Sequence, residues 1–158
     1  MPNINEKTLA NPFYKARSKA AKRNDTLSSR DNAAEMMGID KGRLFKIEND
    51  LANPYPDEVQ MMALLYGEPY LRNHYCTKCC PLGGNVPEVV EPADLDRITV
   101  KALATLRKVN SVKEDLLTIT EDGIIDDQEK PILDNIIETL DELNKVTAHL
   151  KNWVEKNG

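Results

Sequence analysis

Apolar residues in the first half of the chain recur at the spacing of short amphipathic helices. The stripe that defines one of them consists of Ala33, Ala34, Met36 and Met37. This helix is predicted to begin after Ser29, a suitable N-cap, and to end at Gly38, which suits a left-handed C-terminal residue. The next helix is predicted to begin at Lys41 with Asp40 as its cap, so only a three-residue turn separates the two helices.

Proline and asparagine residues mark two further helices in this region. Asn11 and Pro12 form a favourable helix start, with Asn as N-cap and Pro at the first helical position. The helix that follows is predicted over residues 13–23. Another is predicted over about residues 56–66, after the turn at Asn53 and Pro54.

The second half of the chain contains two long stretches in which apolar residues alternate at steps of three and four. The stretches cover 94–120 and 127–156, and 121–123 (Glu-Asp-Gly) interrupts them. This pattern predicts a coiled-coil-like antiparallel helical hairpin, with further apolar positions that suit packing in a bundle. Two hairpins would form a four-helix bundle, so we expect a homodimer whose contacts come from Leu95, Ile98, Val109, Val112, Leu116, Leu133, Ile136, Leu140, Leu143, Leu150 and Val154. The alternative is an intramolecular hairpin that offers its groove to a regulatory protein partner.

The composition agrees with an all-α fold. Aromatic residues make up only 5% of the chain and hydrophobic residues 41%, whereas strands draw on aromatic and β-branched side chains. The sequence has no run of about 18 apolar residues and no signal-peptide pattern at its start, so we expect a cytoplasmic protein without a membrane partner.

Charge is distributed unevenly along the chain, whose net charge is −5. Residues 1–80 hold 12 Lys and Arg against 10 Asp and Glu, a net charge of +2. Residues 81–158 hold 9 basic and 16 acidic residues, a net charge of −7. The first half therefore suits an anionic partner and the second half a protein partner.

The segment from Leu27 to Gly67 resembles the lambda-repressor-like, XRE-type family of helix-turn-helix regulators. A-E-M-M-G-I-D at Ala34–Asp40 occupies the place of the family's A-x-x-L-G-V-S, and R-L-F-K-I-E-N at Arg43–Asn49 that of T-I-S-R-I-E-N. The resemblance covers about residues 13–67. It departs from the family pattern at Asp50, where Gly is usual, at Asp40, where Ser is common, and at Ala33, where Leu is common.

This resemblance implies which residues contact double-stranded DNA. Arg30 would meet a phosphate or a base edge, and Arg43 or Lys46 would bond guanine O6 and N7 from the recognition helix. Ser29 and Asn53 would contact the DNA backbone. The full set of expected DNA-binding residues is Ser29, Arg30, Lys41, Gly42, Arg43, Lys46 and Asn53.

A segment rich in Cys, Pro and Gly follows the first region at residues 76–92. It resembles a Y-C-x-x-x-C-P-[IL]-G segment in a subset of these regulators, with Cys76 and Cys80 at the matching positions and Cys79 as an extra residue. Metal binding with His74, a redox-active thiol pair, and buried cysteines that lock a turn are all compatible with the spacing. The turn is the favoured interpretation, and neither a metal nor another cofactor is predicted.

Together these observations predict a DNA-binding domain at 1–75, a linker at 76–92 and a helical hairpin at 93–158. The predicted function is a transcription regulator, a repressor that acts as a dimer on operator DNA. The alternative is a protein-interaction adaptor or an antitoxin-like regulator whose hairpin binds a partner. Catalysis is not expected, because the sequence shows no catalytic Ser, His and Asp arrangement and no phosphate-binding glycine loop.

Overall fold

A computed structural model describes residues 6–88, 94–120 and 124–158, and within these ranges the chain is helical and has no strand. The α-helices of these ranges are α1 (Glu6–Ala10), α2 (Pro12–Ala21), α3 (Arg30–Met37), α4 (Lys41–Glu48), α5 (Pro56–Tyr66), α6 (Tyr70–His74), α7 (Leu95–Ile119) and α8 (Lys130–Asn157). Short 3₁₀ turns occupy Asp25–Ser28 and Gly83–Asn85, and a π-helical turn occupies Tyr75–Cys79. The all-α prediction is therefore confirmed. No helix of the described ranges has the length and apolar character required to cross a bilayer.

The chain divides into two compact units, and the boundary lies between Val86 and Pro87. The sequence predicts a first domain that ends at residue 75. The Cys-rich segment instead belongs to the first unit, because it continues from α6 as a π-helical turn closed by Cys80 N–H donating to the Tyr75 carbonyl at 2.9 Å. The last part of the predicted linker, residues 89–92, lies outside the described residues.

The predicted helix starts of the first unit are confirmed by their capping hydrogen bonds. The Asn11 side chain accepts from Phe13 N–H at 2.9 Å and from Tyr14 N–H at 3.0 Å, and Pro12 is the first residue of α2. These bonds satisfy two of the N–H groups that a helix leaves unpaired at its N-terminus. Asn11 also donates to the Ile47 carbonyl at 2.9 Å, so the cap of α2 contacts the end of α4.

The core of the first unit joins the inner faces of the short helices. Leu44 and Ile47 of α4 are buried beside Met37 of α3 and Met62 of α5. At about 0.8 kcal/mol for each buried CH₂, this shared burial is what orders helices too short to be stable alone. The buried apolar residues of this core are Phe13, Ala16, Ala20, Leu27, Ala33, Ala34, Met37, Leu44, Ile47, Val59, Met62, Ala63, Tyr66, Tyr70 and Leu71.

The second unit consists of α7 and α8, which pack against each other. Val112 and Ile119 of α7 share a small buried cluster with Ile136 of α8, and Lys108 pairs with Glu142 at 2.8 Å. The residues expected to form the dimer contacts fall into three groups by their exposure, because some face the neighbouring helix and others face solvent. Ile98, Val112 and Ile136 are buried, Val109, Leu133 and Leu143 are half-buried, and Leu95, Leu116, Leu140, Leu150 and Val154 are exposed.

The segment that joins the two long helices is only partly described. The interruption predicted at 121–123 lies outside the described residues. Asp126 then accepts hydrogen bonds from the N–H groups of Gln128 at 2.7 Å and Glu129 at 2.9 Å. This turn precedes α8, and Pro131 lies in the first turn of α8, where its missing N–H is tolerated.

Candidate nucleic-acid interface

A three-residue turn joins two short helices, α3 and α4, and each helix has a side-chain cap at its N-terminus. Ser29 accepts from Asn32 N–H at 3.4 Å at the start of α3, and Asp40 accepts from Arg43 N–H at 3.1 Å at the start of α4. Gly38 ends α3 with a φ of 66°, in the left-handed region that glycine occupies without a Cβ clash. The sequence therefore fixes where each helix stops and starts.

A buried carboxylate, Glu48, holds these helices to α2. Its Oε1 accepts from Arg17 Nε at 2.5 Å, and its Oε2 accepts from Arg17 Nη2 at 3.0 Å and from Arg30 Nε at 2.8 Å. Arg17 also donates to the carbonyl oxygens of Leu27 and Ser28. Because these groups come from four successive elements, one charged network sets the position of α4 relative to α2 and α3.

The electrostatics of this network follow from burial and pairing. Burial disfavours the charged form of Arg17, but the hydrogen bond and the charge of Glu48 outweigh it and raise the pKa of the guanidinium. Tyr66 lies in the same core, and burial followed by the charge of Glu48 raises the pKa of its hydroxyl. That hydroxyl has no hydrogen-bond partner among the described residues.

Arg43, expected to read guanine, has partners within the first unit. It donates to both carboxylate oxygens of Glu58 at 2.9 Å and to the Asn53 carbonyl at 2.8 Å, and its guanidinium carbon lies 4.3 Å from the centroid of the Tyr55 ring. The hydrogen bond to Glu58, opposed by desolvation, raises the pKa of Arg43. Arg43 thus ties α4 to the start of α5, and its role as a base-reading residue stays a prediction.

The outward face of α4 carries the other expected residues. Lys41 and Lys46 are exposed; Lys41 approaches Asp31 at 3.4 Å, whereas Lys46 has no ion pair within the described part of the chain. Gly42 is half-buried, and a Cβ there would lie 2.9 Å from Asp40 Oδ1. Phe45 is not among the DNA-binding residues expected from the sequence, yet it is exposed on the same face beside these residues.

Ser29 and Asn53, the residues expected to contact the DNA backbone, also have roles within the first unit. The Ser29 hydroxyl caps α3, and it is half-buried. The Asn53 side chain is exposed, while its carbonyl accepts from Arg43. Asp50 has a φ of 56°, in the left-handed region that favours glycine. Its carboxylate accepts from Asn11 Nδ2 at 2.7 Å, which compensates in part for that conformation.

The Cys-rich segment folds as a compact turn whose three thiols are free and half-buried. Gly83 packs so closely on it that a Cβ would lie 1.7 Å from the Cys76 carbonyl oxygen. Burial, followed by the charge of Asp50, raises the pKa of Cys79, which makes that thiol less reactive. Among the described residues, no three His, Cys, Asp or Glu side chains are grouped to hold a metal ion.

The first unit therefore presents one candidate interface, the outward faces of α3 and α4, with Arg30, Lys41, Phe45 and Lys46 on one surface. Comparisons of the chain with protein-family models, with curated proteins and with solved structures found no match.

Proposed function

We propose that the chain is a sequence-specific DNA-binding transcription regulator, a repressor that acts as a homodimer. In this proposal α3, the turn and α4 form a lambda-repressor-like helix-turn-helix, and α4 is the helix that enters the major groove. The observation that carries the proposal is the outward face of α4, on which Lys41, Phe45 and Lys46 are exposed while Leu44, Ile47 and Glu48 anchor the opposite face.

The dimensions of α4 suit this role. Its eight residues give a length of about 12 Å, and a helix with side chains is about 10–12 Å across, close to the width of the major groove. The network around Glu48 holds the helix before DNA arrives, so binding does not have to order it. Lys46 is available for a phosphate or a base edge, because no carboxylate of the described residues occupies it.

The packing of the second unit favours a dimer. We propose that α7 and α8 form an antiparallel hairpin, which the pairing of Lys108 with Glu142 supports. Among the described residues of this unit, the buried cluster is small: Val112, Ile119 and Ile136 form it, and Ile98 is buried apart from it. Large apolar side chains remain exposed on both helices, and a second copy would cover them: Val100, Leu103, Leu106, Leu117, Ile137, Leu140, Leu150 and Val154.

The experiment that tests DNA recognition is selection from a pool of duplexes with 20 randomised base pairs, using the full chain. We expect enrichment of one sequence in two half-sites about one helical turn apart. Lys46→Ala should weaken binding of the enriched duplex about 5- to 150-fold if the lysine meets a base edge. Lys145→Ala, which removes an exposed lysine of α8, is the matched control and should bind as the wild type does. A pool without enrichment after repeated rounds would reject the proposal.

The experiment that tests dimerisation is a measurement of mass in solution by light scattering. The wild-type chain should have twice the chain mass of 17.8 kDa. Leu103→Asp should shift the mass toward that of the monomer, whereas Ser111→Asp at an exposed polar position of the same helix should not. A monomeric wild-type chain at micromolar concentration would contradict the dimer.

A second candidate function, binding of a protein partner by the α3–α4 face, is favoured by the acidic residues on that face. Asp31 approaches Lys41, and Asp40 and Glu35 are exposed nearby in the sequence. These charges repel phosphate and reduce the positive potential that DNA requires. Retention of a small protein by the full chain, together with the absence of duplex enrichment, would favour this second function. The adaptor or antitoxin-like alternative, in which the hairpin binds the partner, would be favoured if the α7–α8 hairpin alone retained that protein.

A further inference from the structure

Phe45 is an aromatic residue exposed where a polar one would be expected. It leaves 45% of its surface accessible on the outward face of α4, between Lys41 and Lys46 in the sequence. The core of the first unit takes Leu44 and Ile47 from the same helix and leaves Phe45 outside. Since the inward face of α4 is already filled, the hydrophobic core of the unit does not account for an apolar ring at this position.

One face of the Phe45 ring is covered by Arg30, whose guanidinium carbon lies 5.1 Å from the ring centroid. Arg30 is held from its other side by the buried Glu48, which accepts from Arg30 Nε at 2.8 Å. Glu48 therefore orients the guanidinium, and the guanidinium in turn orients the Phe45 ring on the α3–α4 face.

The hydrogen-bonding capacity of Arg30 differs from that of Arg43. Arg43 uses three of its five guanidinium N–H donors within the unit: Nε and Nη2 donate to Glu58, and Nη2 donates to the Asn53 carbonyl. Arg30 uses only Nε in this way, and its two terminal amino groups have no hydrogen-bond partner among the described residues. Arg30 is thus oriented by Glu48 and keeps more guanidinium donors for a ligand than Arg43 does.

We propose that Phe45 is a specificity-determining residue that contacts the C5 methyl group of a thymine, and that Arg30 beside it donates to an oxygen or nitrogen acceptor of the same DNA. This inference rests on the proposed function. The thymine methyl is the apolar group that the major groove presents, and a phenyl ring has no donor or acceptor with which to read any other base. The acceptor for Arg30 is either the guanine edge or a phosphate, and both accept from the same amino groups.

The test uses the duplex that the wild-type chain enriches from the random pool. Binding is measured by fluorescence anisotropy on this duplex and on the same duplex made with deoxyuridine in place of thymidine, which removes only the methyl groups. Loss of one buried methyl contact in each half-site should weaken binding about fourfold per protomer, or about 15-fold for the dimer. This comparison needs no protein variant, so a folding defect cannot imitate the result.

Protein variants then assign the effect to Phe45. Phe45→Ala should bind the thymine and uracil duplexes equally, whereas Leu64→Ala, an exposed apolar residue of α5, should keep the wild-type ratio. Replacing guanine by 7-deazaguanine removes the N7 acceptor and separates the two sources for Arg30. If 7-deazaguanine weakens duplex binding by the wild-type chain but not by Arg30→Ala, Arg30 contacts guanine. If it changes the affinity of both proteins equally, Arg30 contacts a phosphate.

The outcomes distinguish this inference from the proposed function. Enrichment of a duplex that binds equally well with thymine and uracil overturns the role of Phe45 and leaves DNA recognition standing. A thymine preference that survives Phe45→Ala also overturns it, since the methyl would then be read elsewhere. A wild-type chain that enriches no duplex rejects the proposed function, and the inference falls with it.

Discussion

The Glu48→Gln substitution tests whether the buried charge network holds the first unit together. Glu48 is fully buried, and its carboxylate accepts from Arg17, which is itself buried, and from the partly exposed Arg30. Glutamine keeps the size of the side chain but removes its charge and turns an acceptor into a donor. The variant therefore leaves the Arg17 guanidinium buried without a counter-charge, with the one amide oxygen of the substituted side chain and the carbonyls of Leu27 and Ser28 as its acceptors.

The size of the effect follows from the burial of each partner. Breaking a buried ion pair costs about 3–5 kcal/mol when one charge stays behind. The contribution of Arg30 is small, because its side chain is 30% exposed and water replaces the lost contact. The two carbonyls that Arg17 retains offset a part of the remaining loss. We expect the free energy of unfolding of the first unit to fall by about 3 kcal/mol, which lowers the Tm by roughly 12–24 °C for a unit of this size.

Thermal unfolding followed by two spectroscopic signals measures the loss of stability separately for the two units. Circular dichroism reports helix in both units, whereas the single tryptophan, Trp153, lies in α8 of the second unit. Glu48→Gln should move the first-unit transition and leave the transition of tryptophan fluorescence unchanged. Glu35→Gln at an exposed position of α3 is the control and should change stability by less than about 0.5 kcal/mol.

A compensating double variant separates lost charge from lost shape. Arg17→Met combined with Glu48→Leu removes both buried charges and should regain much of the stability, because apolar replacement of a buried pair is often close to neutral. A loss below about 1 kcal/mol in Glu48→Gln would refute the reasoning, since the network would then not be what positions α4.

Two further predictions concern the Cys-rich turn and the second unit. Gly83→Ala should destabilise the first unit by about 1–3 kcal/mol in a chemical denaturation, because its Cβ would meet the Cys76 carbonyl, and Gly84→Ala, with open space around it, should be neutral. His149 has a buried Nδ1 without a hydrogen-bond partner among the described residues, and burial followed by the charge of Lys101 lowers its pKa from 6.5. The folded state therefore binds this proton more weakly than the unfolded chain does, so stability of the second unit should be complete above pH 6.5 and decrease as the pH falls below it. The fluorescence Tm of His149→Gln should lose this dependence, and an identical pH profile for both proteins would contradict the assignment.

Local sequence signals predicted the helices of the first unit well. Asn11, Ser29, Asp40 and Gly38 act through residues at most five positions away, so their roles as caps are readable from the sequence. The heptad spacing likewise predicted α7 and α8 to within a few residues, because the 3.6-residue period is a property of each helix alone. The α1 helix was not predicted, since five residues carry too little periodic signal.

Contacts between distant residues limited the prediction of the candidate site. Arg17 and Glu48 are 31 positions apart, and Arg43 and Glu58 are 15 apart, so their pairing depends on the folded arrangement of helices. From the sequence alone, a basic residue on a predicted recognition helix is expected to contact DNA. The structure shows whether a carboxylate of the protein already pairs with it, as Glu58 does with Arg43. The same limit applies to Phe45, whose exposure depends on which face of α4 the core occupies. A signal was present in the sequence, because the apolar spacing of Leu44 and Ile47 already assigned Phe45 to the other side.

The central claim, DNA binding through the α4 face, is tested most directly by the salt dependence of duplex binding. The affinity of the full chain for its enriched duplex is measured by anisotropy across 50–200 mM salt. We predict that log K falls linearly with log salt, with a slope of about −0.9 for each phosphate neutralised. Lys41→Ala combined with Lys46→Ala should make this slope less steep by about one to two for each protomer. A slope near zero, or a slope that the double variant leaves unchanged, would contradict the account.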